Sequence, residues 1–204
     1  MRGSEAVRLA VRDYVMLLDR GYPERSTRQL VSDRYRLSRS ERAILYRGAH
    51  SRAVSAARDQ KRGVLESAWA AWLWIDVLNV LYTIAAYCLG RPVSISTDGW
   101  LRDAAEIYGD ELPHAILKRA VNLLADFLKR HAASATRLVL LVDDSASGGE
   151  LVAAQLTAEL ETLAASLWQM KRSDRVDQDL EQAETGYIAT SDSGIIDRCK
   201  LPVC

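Results

Sequence analysis

Apolar residues in the first part of the chain recur every three to four positions. This spacing predicts a helix over residues 4–20, and its apolar face is formed by Val7, Val11, Tyr14, Val15 and Leu18. The segment Gly21-Tyr22-Pro23 ends this helix, because glycine suits a helix C-terminal cap and proline cannot continue the helix.

Two shorter helices are predicted to follow. Ser26 is the predicted N-cap of the second helix. Ser38, followed three residues later by Glu41, has the pattern of a capping box, which opens the third helix. Residues 49–66 are polar and favour a linking helix. Three short helices with tight breaks are typical of a helix-turn-helix-like bundle, so we assign residues 1–65 to a small helical domain.

From residue 71 onward, short apolar runs alternate with helical patterns. Strands are predicted over residues 71–76, 93–97, 137–142 and 186–190, with a last edge strand beginning at residues 201–204. Helices are predicted over residues 79–89, 100–108, 113–132, from Gly149 to about Met170, and over 193–199. This alternation favours βαβ units and a mostly parallel sheet covered on both faces, in an α/β domain of residues 66–204.

Aspartates follow the predicted strands at the points where the strands end. In an open parallel sheet the carboxyl ends of the strands converge on one crevice. Clustered carboxylates shift one another's pKa values unless a cation neutralises them, and oxygen ligands suit Mg²⁺ or Mn²⁺. The candidate metal ligands are Asp76, Asp143, Asp144, Asp192 and Asp197, among which Asp76, Asp144 and Asp192 are the candidate catalytic residues. The candidate substrate-binding residues are Asn79, Asp98, Arg102, Asp103, Ser191 and Ser193.

Some of the carboxylates also have a simpler structural interpretation. Asp76 is also explained as a helix N-cap, and Asp98 as part of an Asp-Gly turn. Asp143 and Asp144 are adjacent, so in an extended strand they point to opposite sides and at most one is expected to be a ligand.

Charge is divided unevenly along a chain whose formal net charge is zero. Residues 1–65 contain 15 Lys and Arg against 7 Asp and Glu, and residues 66–204 contain 12 against 20. This division favours a basic module joined to an acidic one. The candidate nucleic-acid-binding residues are Arg25, Arg28, Arg34, Arg36, Arg39, Arg42 and Arg47. An equally good interpretation is solvated surface charge over a small core.

Other features limit the class of protein. The three cysteines contain no C-x-x-C pair, which fits a reducing cytoplasm and disfavours a zinc site. No signal peptide is predicted. Residues 67–90 are long enough to cross a bilayer, but Asp76 lies near their middle and would cost about 2.5–3.5 kcal/mol there. A buried strand followed by a buried helix is the better interpretation.

Two segments of the acidic half resemble a known group of enzymes. The segment Trp74-Ile75-Asp76-Val77-Leu78-Asn79-Val80-Leu81 is similar to the opening strand, turn and helix of PIN/NYN-type ribonuclease domains. The segment from Ala189 to Asp197 resembles their Thr-x-Asp motif. Over residues 70–204 the resemblance implies a PIN-like three-layer α/β/α fold, a Mg²⁺ or Mn²⁺ site and hydrolysis of RNA.

The whole chain also resembles an uncharacterised prokaryotic family that pairs such a domain with a small N-terminal domain of unknown function. The segments that match are Leu17–Pro23, Arg34–Ser38, Glu41-Arg42, Leu45–Gly48 and Asp98–Asp103. This second resemblance implies no activity.

These patterns favour a metal-dependent ribonuclease, in which the basic module holds RNA and a homodimer is plausible. Two alternatives stay open at this point. One is a non-catalytic RNA- or DNA-binding or interaction protein with a degenerate acidic site. The other is a phosphatase or a Toprim-like phosphotransferase that uses the same acidic crevice.

Overall fold

The chain begins with four helices, of which the first three share a small apolar core. They are α1 (Arg2–Asp19), α2 (Glu24–Arg34), α3 (Arg39–Gly48) and α4 (Arg52–Asp59). The buried residues of the core are Ala10, Tyr14, Val31, Leu37, Leu45 and Ala49. The computed structural model describes residues 2–68, 71–103, 112–131 and 136–204. The predicted series of three N-terminal helices is confirmed.

One of the two helix N-caps predicted in this region is confirmed, and the other prediction was wrong. Ser38 caps α3, and both bonds of the predicted capping box with Glu41 are present. The prediction for Ser26 was wrong, because the N-cap of α2 is Pro23 and the Ser26 hydroxyl donates to the Pro23 carbonyl. A proline immediately before the first turn costs no hydrogen bond, since that turn has no internal acceptor for its N–H groups.

An antiparallel hairpin packs with these helices. It consists of β2 (Val93–Ile95) and β3 (Leu101–Asp103), and both strands contact α3. Described residues within Met1–Gln60 and Arg91–Glu106 therefore form one compact unit, and those within Lys61–Gly90 and Ile107–Cys204 form another. The hairpin comes from the acidic half of the sequence but belongs to the first unit.

The hairpin corrects two expectations from the sequence. Residues 93–97 were expected to join the parallel sheet, and residues 100–103 to begin a helix. Gly99 instead adopts a φ of 82°. Glycine adopts this turn conformation at no steric cost because it has no Cβ. The chain reverses there, and Leu101 pairs back with Ile95. The rest of that predicted helix, residues 104–108, lies outside the described residues.

The second unit is built on a four-stranded parallel sheet. Its strands are β1 (Trp72–Asp76), β4 (Arg137–Asp143), β5 (Trp168–Ser173) and β6 (Tyr187–Ala189), in the order β5-β4-β1-β6. Its helices are α5 (Leu65–Ala68), α6 (Val77–Cys88), α7 (His114–His131), α8 (Gly149–Leu160), α9 (Val176–Glu181) and α10 (Ser193–Arg198). The prediction of a mixed α/β chain with a mostly parallel sheet is confirmed.

Helices cover both faces of this sheet. Leu138, Leu140 and Val142 of β4 join the core that contains residues of α6, α7 and α8. Val139 and Leu141 point to the opposite face and are also fully buried, while α9 contacts β1 and β4. Burial on both faces explains why β4 is apolar at every position from Leu138 to Val142.

One strand was missed in the sequence. A helix was predicted to continue to about Met170, but α8 ends at Leu160 and Trp168–Ser173 form β5. β5 lies at the edge of the sheet and alternates between half-buried and exposed positions up to Lys171. Its pairing with the buried β4 outweighs a weak local preference. The expected last edge strand is limited to Val203, which bridges Arg62 and Ile188.

The long apolar stretch of residues 67–90 is divided between α5, β1 and α6, and residues 69–70 lie outside the described part. No helix among the described residues combines the length and the apolar character that crossing a bilayer requires.

Gly186, which precedes β6, is expected to tolerate no side chain. Its φ is 101°, and a Cβ there would lie 2.1 Å from the Trp72 carbonyl oxygen. Gly186→Ala should therefore lower the free energy of unfolding by about 2–3 kcal/mol, measured by urea denaturation. Gly90 also has a positive φ but has nothing within 4 Å of that position, so Gly90→Ala should cost only about 1 kcal/mol. Equal losses would show that steric overlap with Trp72 is unimportant.

Candidate active site at the carboxyl edge of the parallel sheet

Asp76 ends β1 inside the second unit and is only 8% exposed. Its Oδ1 accepts a long hydrogen bond of 3.4 Å from the Asn79 backbone N–H, which makes Asp76 the N-cap of α6. Its Oδ2 accepts a 2.9 Å hydrogen bond from the Thr190 hydroxyl, at the end of β6. The residue is thus a helix cap, as its simpler interpretation held, and it also joins two strand ends.

The Asp76 carboxyl has a strongly raised pKa. Burial, which penalises the charged form, raises the pKa of Asp76 to about 7, and the hydrogen bonds from Thr190 and Asn79 only partly oppose it. Two further carboxylates, Asp192 and Asp177, raise it further. The charges of these two acidic groups oppose ionisation of Asp76.

Asn79 connects α6 to the turn after β6. Its side-chain oxygen accepts from both the backbone N–H and the hydroxyl of Ser191, each at 2.9 Å. The Asp192 N–H in turn donates to the Thr190 hydroxyl oxygen at 3.1 Å. The predicted substrate-binding residues Asn79 and Ser191 thus lie together and fix the shape of this turn.

Asp192 is the N-cap of α10. Its Oδ1 accepts from the N–H groups of Gly194 at 2.7 Å and Ile195 at 3.1 Å. The residue as a whole is exposed, so its carboxylate stays open to solvent while it is held in place. Ser193 is the first residue of α10.

The two adjacent aspartates after β4 have different surroundings. The Asp143 carboxylate accepts from the N–H and the hydroxyl of Ser145, at 2.8 and 2.7 Å, and it acts electrostatically on Asp177. Asp144 instead forms an ion pair with Arg172 of β5. Asp143 is therefore the member of the pair whose charge acts on another carboxylate of the crevice, that of Asp177.

Asp177 is a residue of this site that sequence reasoning missed. It lies in the first turn of α9, and burial raises its pKa, with further contributions from Asp192, Glu181 and Asp143, while Arg198 lowers it. An Arg198 nitrogen lies 3.3 Å from the Asp177 carboxylate. Asp177 follows the end of a strand, as the predicted site residues do, but that strand, β5, was not predicted from the sequence.

Asp197 lies near the opposite end of α10 from Asp192. Its backbone carbonyl accepts a 2.8 Å hydrogen bond from the Lys61 ammonium, which also binds the carbonyls of Ile196 and Cys199 at 2.7 and 3.0 Å. Lys61 thereby satisfies the last carbonyls of α10.

The remaining predicted substrate-binding residues belong to the first unit. Asp98 is 3% exposed and accepts from Arg58 at 2.8 Å and from Arg102 at 2.6 and 2.9 Å. Asp103 pairs with Arg47 at 3.3 Å. Asp98 and Arg102 thus form a buried ion cluster within the hairpin and helices of that unit.

The seven candidate nucleic-acid-binding arginines divide into two groups. Four have intramolecular partners: Arg42 pairs with Asp33 at 2.9 Å, Arg47 with Asp103, and the guanidinium groups of Arg28 and Arg34 lie over the rings of Tyr46 and Tyr35 at 4.2 and 5.8 Å. Arg25, Arg36 and Arg39 are exposed and form no ion pair with any described residue.

The acidic edge has donors that suit a hard cation but does not form a complete cage. Within the described residues, no three His, Cys, Asp or Glu side chains lie together as a ready-made metal site. Mg²⁺ in phosphoryl-transfer sites usually keeps several waters and binds one or two carboxylates together with substrate phosphates. The oxygen donors of Asp76 and Asp192 fit that mode of binding.

Comparison with known proteins assigns the chain to a family. Residues 66–203 match the family described as "Domain of unknown function (DUF5616)". The chain belongs to the DUF5616 family. Ahead of its DUF5616 region, residues 6–61 match "Protein of unknown function (DUF434)".

A relative of this DUF5616 protein has the same extent. The uncharacterised protein MJ0935 of the archaeon Methanocaldococcus jannaschii is 25% identical over 193 residues, covering 94% of this chain and 89% of that protein. No solved structure matches the chain. The predicted membership of an uncharacterised prokaryotic family is confirmed, and the relation to PIN/NYN domains stays a prediction.

Proposed function

We propose that this DUF5616 protein is a divalent-metal-dependent ribonuclease that hydrolyses phosphodiester bonds where β1 and β6 end. The observation that carries the proposal is the 2.9 Å hydrogen bond between Asp76 and Thr190. It joins the carboxyl ends of two neighbouring parallel strands and leaves a second carboxylate, Asp192, two residues further along.

The position of these residues in the sheet supports a ligand site. The chain runs from β1 to β4 and β5 on one side, then returns to place β6 on the other side of β1. Connections diverge between β1 and β6, and open α/β sheets bind their ligands at such a switch point, outside the carboxyl ends of the strands. Asp76 and Asp192 flank it.

The electrostatics support a cation as part of that ligand. A buried carboxyl whose charged neighbours are Asp192 and Asp177 is relieved by a positive ion. Asp76 and Asp192 would hold Mg²⁺ or Mn²⁺, with Asp143 and Asp177 completing the negative field. Such an ion, when bound, lowers the pKa of a coordinated water and stabilises charge on a phosphate.

The other residues of the site have positioning roles in this proposal. Asn79 holds the turn that contains Ser191 and Asp192, so it fixes the distance between Asp192 and Asp76. Arg198 pairs with both Asp177 and Glu181, so it holds the Asp177 carboxylate in place beside the site. RNA is the proposed substrate because Arg25, Arg36 and Arg39 are exposed cations that suit a phosphate backbone. A cytoplasmic location and a homodimer remain predictions.

Two adjacent aspartates provide a matched test. Mn²⁺ should bind the wild-type protein saturably in calorimetry and stimulate cleavage of end-labelled single-stranded RNA. Asp143→Asn should weaken Mn²⁺ binding and lower cleavage by roughly tenfold or more, because it removes a charge from the crevice. Asp144→Asn removes the same charge from an ion pair with Arg172. It should leave the affinity for Mn²⁺ and the rate of RNA cleavage within about twofold of wild type.

Equal effects of the two substitutions would contradict the proposed geometry. If the wild-type protein binds no Mn²⁺ and cleaves no RNA, the ribonuclease proposal is wrong. Tight RNA binding that weakens linearly with the logarithm of salt concentration, without turnover, would then support the non-catalytic alternative.

A further inference from the structure

The second unit contains an apolar cavity of about 470 Å³ between its sheet and two of its helices. The wall on the sheet side is formed by Leu73 and Ile75 of β1 and Ala189 of β6. The opposite wall includes Ile84 of α6 and Leu124 and Phe127 of α7. Phe127 is 36% exposed, so it lies where the cavity meets solvent.

The apolar lining distinguishes this space from an ordinary surface groove, because it leaves hydrophobic side chains uncovered beside the close-packed interior. Water gains little in a cavity without polar partners, and such cavities accept apolar molecules instead. The volume lies in the range of roughly 300–1,000 Å³ that is typical of small-molecule sites.

Among the described residues that line the cavity, one side chain is charged. Arg130 lies in the last turn of α7, and its Nε donates to the Asp126 carbonyl at 3.0 Å, which orients the guanidinium. The two terminal nitrogens form no ion pair with any described residue. An arginine with both terminal nitrogens available can bind a carboxylate through two parallel hydrogen bonds.

The remaining polar atom of note in the lining is the thiol of Cys204. Burial raises the pKa of Cys204 to about 11, so this thiol is neutral at physiological pH. Among the described side chains that line the cavity, all others are uncharged and Arg130 is the one cation.

We propose that this cavity binds a medium-chain fatty acid, with the alkyl chain among the apolar residues and the carboxylate on Arg130. One cation among mainly apolar described side chains matches a ligand with one negative charge at the end of an alkyl chain. The inference does not depend on the proposed ribonuclease activity, because none of the cavity residues belongs to the acidic edge.

Titration of the intact protein with sodium octanoate and with 1-octanol tests this inference, by calorimetry and by shifts of methyl resonances of the leucines and isoleucines in the cavity. Octanoate should bind at one site, and octanol should bind about fivefold or more weakly. Arg130→Gln should weaken octanoate binding to the level of octanol. Arg119→Gln, an exposed position on the same helix outside the cavity, should leave binding unchanged.

Two further variants keep the test decisive. Ala189→Leu fills the cavity and should abolish octanoate binding. Phe127→Ala, at the partly exposed rim, should weaken octanoate binding, and it tests the inference if the Ala189→Leu protein does not fold. Each variant is checked by circular dichroism first. The inference is overturned if octanoate does not bind saturably, if octanol binds equally well, or if the folded Ala189→Leu protein still binds octanoate with wild-type affinity.

Discussion

Replacement of Asp98 by alanine should lower the free energy of unfolding by about 3–5 kcal/mol, because it removes a buried carboxylate that two buried arginines share. Arg58 and Arg102 are 5% and 4% exposed, and both donate to the Asp98 carboxylate. Desolvation of a guanidinium is offset only by such a partner. The loss should therefore far exceed that of an ordinary surface ion pair.

Urea denaturation at pH 7 measures this effect, and Asp33→Ala is the matched control. Asp33 also pairs with an arginine, Arg42, at 2.9 Å, but the two side chains are 55% and 39% exposed, so the control should cost far less than Asp98→Ala. Similar losses in the two variants would mean that water reaches the Asp98 cluster and replaces the missing carboxylate.

The same cluster sets a pH dependence. Burial alone would raise the pKa of Asp98, but hydrogen bonds from Arg102, Ser96 and Arg58 outweigh it and hold the pKa well below the usual range of an aspartate. The folded state therefore binds this proton less readily than the unfolded state. The stabilisation is complete above about pH 4, the pKa of an unfolded aspartate, and is lost as the pH falls further.

Asp76→Asn should have the opposite effect on stability while it removes activity. The pKa of Asp76 rises from 3.8 in an ordinary aspartate to about 7 in the folded chain. The folded state then holds an extra proton between these values, so the wild-type protein loses stability as the pH rises through that window. Asparagine cannot ionise and keeps an oxygen that can accept from Thr190, so the variant avoids this loss.

Two readouts check this expectation. In metal-free buffer with a chelator, Asp76→Asn should be more stable than wild type by on the order of 3 kcal/mol at pH 8, with little difference at pH 4. In Mn²⁺, its cleavage of RNA should fall by at least about 100-fold. A variant that is less stable than wild type at pH 8 would show that Asp76 serves the fold as an ionised helix cap rather than as a strained carboxylate.

The meeting of Asp76 with the turn after β6 was accessible from sequence, because parallel strands that alternate with helices bring their carboxyl ends to one edge. Apolar runs before Asp76 and before Thr190 were enough to place both there. The choice between Asp143 and Asp144 was not accessible. It depends on Arg172, which lies on the strand that local preference failed to reveal.

The hairpin and its ion cluster could not be predicted from the sequence either. Strands of three residues are too short for an alternating pattern to be distinguished from a helical one. The partner of Asp98 that comes from outside the hairpin, Arg58, is 40 residues away in sequence, so no local spacing indicates the pair. Asp177 was missed for a related reason, since its significance depends on β5.

The first unit is built from two separate stretches of the chain, and this has a consequence for its synthesis. Arg47 and Arg58 leave the ribosome well before Asp103 and Asp98, their partners in the hairpin. Between them the chain makes β1 and α6, which belong to the other unit. A nascent chain ending near residue 60 thus lacks the two carboxylates that pair with Arg47 and Arg58 in the folded unit. Arg47 and Arg58 of the DUF434 region thus pair with Asp103 and Asp98 of the DUF5616 region, so the first unit is complete only after residue 103 has been made.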